Sequence, residues 1–247
     1  MRVPRIYSHE PLAGQNEVEL DEGASRHLVK VLRLQVGRPL VLFDGRGGEY
    51  SAELVEAGKR ARVRLGDFHG DNRESPLALT LAIGISRGDR FDWVVQKATE
   101  LGVARIQPLF TERCEVKLKG ERLEKKVAHW RQVAVSACEQ CARNRVPDVA
   151  TPQKFASYLE QTDSGDTDLK LVLHHRTDKH LRELGAGQGW PASALLLVGP
   201  EGGLSAAEID AALARDFKPL RLGPRVLRTE TAPVAALSVL QYQWGDL

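Results

Sequence analysis

An α/β protein in two parts is what this 247-residue sequence predicts: a small β-barrel first, then a domain built on a parallel sheet. Two changes of grammar along the chain carry that prediction. Up to about residue 74, apolar residues alternate or run briefly between Gly, Asp and Asn. From Leu77 onward, continuous aliphatic runs alternate with stretches of helical period. Between them HGDNRESP, 69–76, is polar, ends in proline and reads as a linker.

In the first part, RVPRIYS, NEVELD, RPLVLFDG, GEYSAELVEA and RARVRLGDF read as strands. One amphipathic helix, around GASRHLVKVLRL, interrupts them. Helical spacing turns either His27, Val31 and Leu34 or Leu28, Val31 and Leu32 inward. Short strands with turn residues between them fit a barrel better than a βαβ unit.

In the second part LALTLAIGI is a buried strand. DRFDWVVQKATELGV follows as a helix, with Phe91, Val94, Val95, Ala98 and Leu101 on one face. ARIQPLF is a strand. GERLEKKVAHWRQVAVSACEQCARN is a long helix with Leu123, Val127, Trp130, Val133 or Ala134, Ala137 and Cys141 on one side, and Pro147 ends it. DLKLVLHH and ALLLVGP are strands, each followed by a helical stretch, and KPLRLG is the last strand. The final helix, within TETAPVAALSVLQYQW, is apolar nearly all round, which suits a core or an interface. Pro233 near its start falls where a missing N–H costs least.

The most informative turn is ALLLVGPEGGLSAAEID, Ala194 to Asp210. A buried strand stops at Gly-Pro-Glu-Gly-Gly, and Ser205 with Glu208 forms the S-x-x-E capping box of a new helix. Loops between a strand's carboxyl end and a helix start bind small molecules in open α/β sheets, and glycine lets backbone approach them. The loop has neither G-x-G-x-x-G nor the G-K-[ST] ending of a phosphate loop.

Composition is that of an ordinary soluble protein, 42% hydrophobic and 28% charged. No apolar run reaches membrane-spanning length, and MRVPRIYSHE holds no apolar signal-peptide core. Three cysteines make no disulfide framework, so a cytoplasmic protein with reduced thiols is expected. Net charge is only +2, but it is unevenly spread. Arg113 to Arg145 holds nine Lys or Arg against four Glu, and Arg215 to Arg228 holds five basic residues against one Asp. Such patches suit phosphate or a solvated helix face equally. Cys138 and Cys141 form C-E-Q-C in mid-helix without a second pair, and His174, His175 and His180 lack partners for a tetrahedral site. No metal is expected.

VVQKATELGVARIQPLFTERC, EQCARNRVPDV, LLLVGPEGGLSAAEI and LRLGPRVLRTETAPVAAL occur in that order, with RHLVKVLRL and VLFDGRGGEY near the start. Together they resemble the RsmE family of the SPOUT superfamily, which methylates N3 of a uridine in 16S ribosomal RNA. The resemblance covers nearly the whole chain. It implies a PUA-like RNA-binding barrel over 1–73 and a SPOUT methyltransferase domain over 74–247, a parallel sheet with a trefoil knot. It also implies S-adenosylmethionine as donor, 16S ribosomal RNA within the small subunit as partner, and a homodimer. Serine is usual in the family at the positions of Cys114 and Cys141, so these thiols read as small fillers.

The resemblance assigns three cofactor loops. Val198, Gly199, Pro200, Glu201, Gly202 and Gly203 form one; Leu222, Gly223, Val226, Leu227 and Arg228 form another; Leu173 and His174 belong to the third. Arg228 and Glu230, in LRTETA, are the candidate catalytic pair. N3 methylation needs an unpaired base, loss of a proton and help for the charge spreading over the uracil. Arg228 suits the charge and Glu230 the proton, unless the two only cap a helix; Glu201 is a second candidate base. Candidate RNA contacts are Arg2, Arg5, Arg26, Lys30 and Arg33 in the barrel, and Arg113 and Arg143 beyond it. Two alternatives stay open: a SPOUT methyltransferase with another RNA target, and a non-catalytic RNA-binding protein.

Overall fold

The computed structural model describes residues 3–162, 167–179 and 189–247. The chain divides into two compact units, Met1–Glu74 with Val135–Val146, and Ser75–Ala134 with Pro147–Leu247. The return of Val135–Val146 to the first unit has no counterpart in the sequence reading.

The first unit is a five-stranded sheet in the order β1-β3-β4-β5-β2. Its strands are β1 Arg5–Tyr7, β2 Glu17–Glu19, β3 Pro39–Phe43, β4 Glu49–Glu56 and β5 Arg62–His69. β1 runs parallel to β3, and the other neighbours are antiparallel. Alternation does the work the sequence promised: Leu40 and Leu42 of β3, Leu54 of β4 and Val63 of β5 point to one side. There they bury with Ile6, Leu12, Leu20 and Leu28 in a single core.

Helix α1, Glu22–Arg26, is capped by Asp21, whose carboxylate accepts from the amides of Gly23 and Ala24 at 2.7 and 2.9 Å. The chain then changes period. His27–Val31 is a π-helical turn, closed by the Leu32 amide donating to the His27 carbonyl at 2.9 Å. Neither inward set expected from a 3.6-residue period is realised. Leu28 is buried, His27 and Leu34 are half-buried, and Val31 and Leu32 face solvent. Arg33 follows at φ 52, left-handed backbone that costs a non-glycine residue about 1 kcal/mol.

The second unit carries a fully parallel sheet in the order β12-β10-β11-β6-β7-β8, with β9 also pairing β7. Its strands are β6 Ala78–Gly84, β7 Arg105–Phe110, β8 Asp148–Val149, β9 Gln153–Lys154, β10 Leu169–Leu173, β11 Ser193–Val198 and β12 Lys218–Leu220. Its helices are α2 Arg90–Glu100, α3 Gly120–Cys141, α4 Phe155–Gln161, α5 Ala206–Leu213 and α6 Thr231–Trp244. Parallel strands are buried on both faces, which is why they read as unbroken aliphatic runs. Phe155, Leu159, Ile209 and Phe217 cover β7, β10 and β11.

α2 buries the expected Phe91, Val94, Val95 and Ala98, while Leu101 is half-buried. α3 does not run to Pro147. It stops at Cys141, and Ala142 turns out at φ 69. α5 starts on the anticipated capping box, with Ser205 and Glu208 each bonded to the other's backbone amide. α6 buries Ala236, Leu237, Leu240 and Trp244 but leaves Val239 and Tyr242 in solvent. The helical stretch expected after DLKLVLHH, and His180, fall largely outside the described residues. None of the described helices is long and apolar enough to cross a membrane.

Asp92 fastens α2 to α3. Its carboxylate accepts from Lys126 Nζ at 2.9 Å and Trp130 Nε1 at 2.9 Å, and lies 2.6 Å from His129 Nε2. Burial raises the Asp92 pKa, but the bonds from Lys126 and His129 outweigh it and the net shift is downward. Such a group stabilises the fold above its unfolded pKa and loses that contribution as pH falls through the lower folded value. Asp92→Asn should therefore cost about 2 kcal/mol at neutral pH. The gap between the denaturant midpoints of variant and wild type should close in acid. An equal gap at pH 7 and pH 3 would refute this account.

Candidate active site

In the order β12-β10-β11, β10 lies between its later partners, so the carboxyl ends of three strands deliver three loops to one place. They enclose a cleft of about 510 Å³, within the range of small-ligand sites. Leu173 and His174 come from the end of β10. Val198, Gly199, Pro200, Glu201, Gly202 and Gly203 come from the end of β11. Leu222, Gly223, Val226 and Leu227 come from the loop after β12. The structure thus brings every expected cofactor-loop residue to the wall except Arg228.

Gly199 and Gly84 are there for space, Gly203 for its backbone angle. A Cβ on Gly199 would lie 2.6 Å from the Leu204 amide nitrogen and 2.7 Å from the Gly203 carbonyl carbon. A Cβ on Gly84, in β6, would lie 2.5 Å from Pro200 Cδ, so the strand and the loop touch backbone to ring. Gly203 takes φ 68 and donates its amide to the Pro200 carbonyl at 2.8 Å, closing the turn.

Side chains from elsewhere hold the loop in shape. Arg113 Nη1 donates to the Gly202 carbonyl at 2.9 Å. The neighbouring Glu112 amide donates to Glu208 Oε1 at 2.8 Å, and the other oxygen of Glu208 accepts from the Ser205 amide at 2.9 Å. Thr229 Oγ1 reaches the Gly199 carbonyl at 3.4 Å from the start of α6.

Glu201 accepts from the Arg87 amide at 2.8 Å and from Arg90 Nη1 at 3.1 Å. Burial pushes its pKa up, but these donors more than offset it and the carboxyl titrates below the usual glutamate value. Through these two bonds Glu201 ties the glycine loop to residues 87–90. Arg90 also stands 4.0 Å from Glu230 Oε2, so one guanidinium spans the glycine loop and the first residue before α6. Arg228 is exposed beside the cleft, has no ion pair among the described residues, and caps α6 through its carbonyl. His174 is held below the ordinary histidine pKa by burial, then by His175 and Arg176.

The sequence reading missed Arg90 and Thr229, and also the rim residues Arg176, Asp210, Arg221 and Arg225. Arg90 lies 111 residues from Glu201, and no local pattern marks a contact of that range.

The residues expected to hold RNA scatter. Arg26, Lys30 and Arg33 are exposed around the π turn. Arg113 lies on the cleft wall. Arg5 bonds Glu49 at 2.5 Å and Asn144 Oδ1 at 2.5 Å, and Arg143 is paired with Glu74. Both guanidiniums are buried, 7% and 5% exposed, and serve the interior of the first unit. Arg2 lies outside the described residues. Cys138 is buried and bonded to the Arg145 carbonyl; burial pushes its thiol pKa up to about 12. Among the described residues, no group of three or more His, Cys, Asp or Glu side chains could hold a metal ion.

Residues 73–241 match the family described as RNA methyltransferase domain, and residues 20–65 that described as RNA methyltransferase PUA domain. Ribosomal RNA small subunit methyltransferase E of Buchnera aphidicola subsp. Schizaphis graminum is 34% identical over 247 residues, 100% of this chain and 98% of the relative. The chain belongs to the RsmE family.

The Bacillus subtilis RsmE is 34% identical over 88% of this chain and 86% of its own length. An RsmE of Neisseria gonorrhoeae, solved bound to S-adenosyl methionine, is 38% identical with a TM-score of 0.88 over all of both chains. A Legionella pneumophila protein solved with bound SAM is 42% identical with a TM-score of 0.94, again over all of both chains. The RsmE cleft of this chain suits that cofactor. Leu173, Val198, Ile209, Leu220 and Leu227 offer apolar surface to a purine, and glycine backbone clears room beside it. Arg113, Arg176, Arg221, Arg225 and Asp210 give the wall charges of both signs for an amino-acid end.

Proposed function

We propose that the protein transfers a methyl group from S-adenosylmethionine to N3 of a specific uridine in 16S ribosomal RNA of the small subunit. What supports the reading is the three-loop cleft, in a chain that shares its fold and 38% of its residues with a cofactor-bound RsmE. Bound in the cleft, the cofactor supplies an electrophilic methyl on a sulfonium.

The protein's own residues do the rest. The backbone of 198–203 and 222–227, with Leu173 and His174, grips the donor and keeps water from it. Arg228, unpaired at the cleft's edge, swings toward the substrate and stabilises charge developing on uracil oxygens. Glu230 takes the N3 proton, and Arg90 holds its carboxylate in place. Arg113 braces the glycine loop. The barrel grips phosphates, which positions RNA without reading its sequence.

The knot and the homodimer belong to the same proposal. Supporting the knot is the parallel strand order in which β10 lies between β11 and β12. Supporting the dimer is α6, a largely apolar helix that leaves Val239 and Tyr242 42% and 76% exposed. Sedimentation that showed a concentration-independent monomer would refute the dimer. The three cysteines stand outside any disulfide, which suits a reducing cytoplasm.

The decisive experiment maps methylation by mass spectrometry after incubating protein and donor with 16S ribosomal RNA, naked and in the subunit. One N3-methyluridine is expected. Methyl on a ribose, or only on transfer RNA, would assign a different target.

A further inference from the structure

The first unit sorts its cations into two sets. Arg60, Arg62 and Arg64, at β5, all face carboxylates: Glu19 at 3.0 Å, Glu17 at 2.6 Å with Glu56 at 3.4 Å, and Glu17 at 3.5 Å. Arg26, Lys30, Arg33 and Arg38 have no ion pair or side-chain hydrogen bond among the described residues. All four are exposed, and residues 26–38 contain no Asp or Glu. Their charge is therefore left for something outside this unit.

The same segment bares apolar surface. Val31, Leu32 and Val36 are 64%, 42% and 56% exposed, interleaved with the four cations. The π turn causes this: one extra residue per turn rotates Val31 and Leu32 off the core that Leu28 enters. The left-handed Arg33 holds the chain in that course. An aliphatic strip edged by unpaired cations and kept exposed by unfavourable backbone marks a binding surface.

We propose that this edge takes an unpaired RNA strand, with phosphates on Arg26, Lys30, Arg33 and Arg38 and base or ribose faces on Val31, Leu32 and Val36. The inference rests on RNA being the substrate, and specifies the form in which the barrel receives it. Duplex RNA offers phosphates and 2′-hydroxyls but hides its base faces, which would leave the strip bare. An unpaired strand satisfies charge and apolar surface together. Methylation at N3 needs the same unpaired state.

The test measures binding of an unpaired 16S-derived oligonucleotide and of a fully paired RNA duplex across a salt series. Wild type should prefer the unpaired strand about tenfold. Val31→Ser with Leu32→Ser should remove that preference and leave the salt slope unchanged. Arg26→Ser with Lys30→Ser should weaken both RNAs and flatten the single-strand slope by about 1.4, roughly 0.7 for each phosphate no longer neutralised. Arg60→Ser with Arg62→Ser should change neither. Unaltered melting of each variant, and retained binding by Arg33→Lys, separate a weakened RNA grip from a damaged fold.

Equal affinities and slopes in wild type and both edge variants would overturn the inference. So would edge variants that bind RNA normally but fail to bind an RNA-free small-subunit protein, which would make the edge a protein site. A wild type that methylates ribosomal RNA while its edge variants match it sinks the edge alone. A wild type that binds the donor but neither binds nor methylates RNA sinks the proposed function.

Discussion

Gly199→Ala is expected to weaken S-adenosylmethionine binding about a hundredfold, roughly 2.7 kcal/mol, in a protein that still folds. The added methyl would meet the Leu204 amide and the Gly203 carbonyl carbon at 2.6 and 2.7 Å, and both are backbone. No side chain can swing away, so the turn closed by Gly203 and Pro200 must open. β11 ends at Val198, one residue earlier, and its ladder to β6 is untouched. Gly203→Ala makes the contrast. Its Cβ meets nothing within 4 Å and carries only the strain of φ 68, so its effect should be several-fold at most. Gly202→Val lies between them, because its Cβ would press on Arg113 Cβ at 3.0 Å. Calorimetric titration ranks the three. Wild-type affinity in Gly199→Ala would remove this loop from the cofactor site.

Glu230→Gln should slow single-turnover methyl transfer by two orders of magnitude or more at neutral pH, with donor affinity nearly unchanged. General-base assistance is worth about 10²–10⁴ in rate, and the amide cannot take the N3 proton. As pH rises the proton leaves to solvent more readily, so the variant should recover part of its rate. Arg228→Ala should lose about a hundredfold without such recovery, because it removes charge stabilisation and not a base. Arg90→Ala should resemble a weakened Glu230→Gln, and the two together should be less than additive, since Arg90 acts through that carboxylate. If Glu230→Gln stays slow at every pH, Glu230 only braces its neighbours. Near-wild-type rates for both Glu230→Gln and Arg228→Ala would place the chemistry on other residues.

What could be read from the sequence was what is local. The capping box of α5 spans four residues, the α2 face repeats over three turns, and the buried strands are unbroken aliphatic runs; each carries its own signal. The Gly-Pro-Glu-Gly-Gly loop was legible because a strand signal meets a helix signal across it. The π turn was not, since two 3.6-residue faces fitted RHLVKVLRL and neither allowed an extra residue. Long-range pairing was equally hidden. Arg5 and Arg143 look like surface cations until Asn144, 139 residues from Arg5, and Glu74, 69 residues from Arg143, arrive beside them. The stop of α3 at Cys141 was obscured because Pro147 offered a plausible terminator six residues later.

Glu208 shapes the glycine loop before any ligand arrives. Its two oxygens hold the amides of Glu112 and Ser205, and Arg113, next in sequence, holds the Gly202 carbonyl. Segment 112–113 and segment 202–208 are thus stitched at two points by protein groups, so the loop does not need a ligand to define its shape. The entropy of ordering it falls on folding, not on association. The loop should behave as a rigid wall, with slow amide exchange at Gly203 and Glu208 that ligand hardly changes. Recognition is then close to lock-and-key on this side of the cleft, and any adjustment to an incoming molecule is left to the segment around the 78%-exposed Val226.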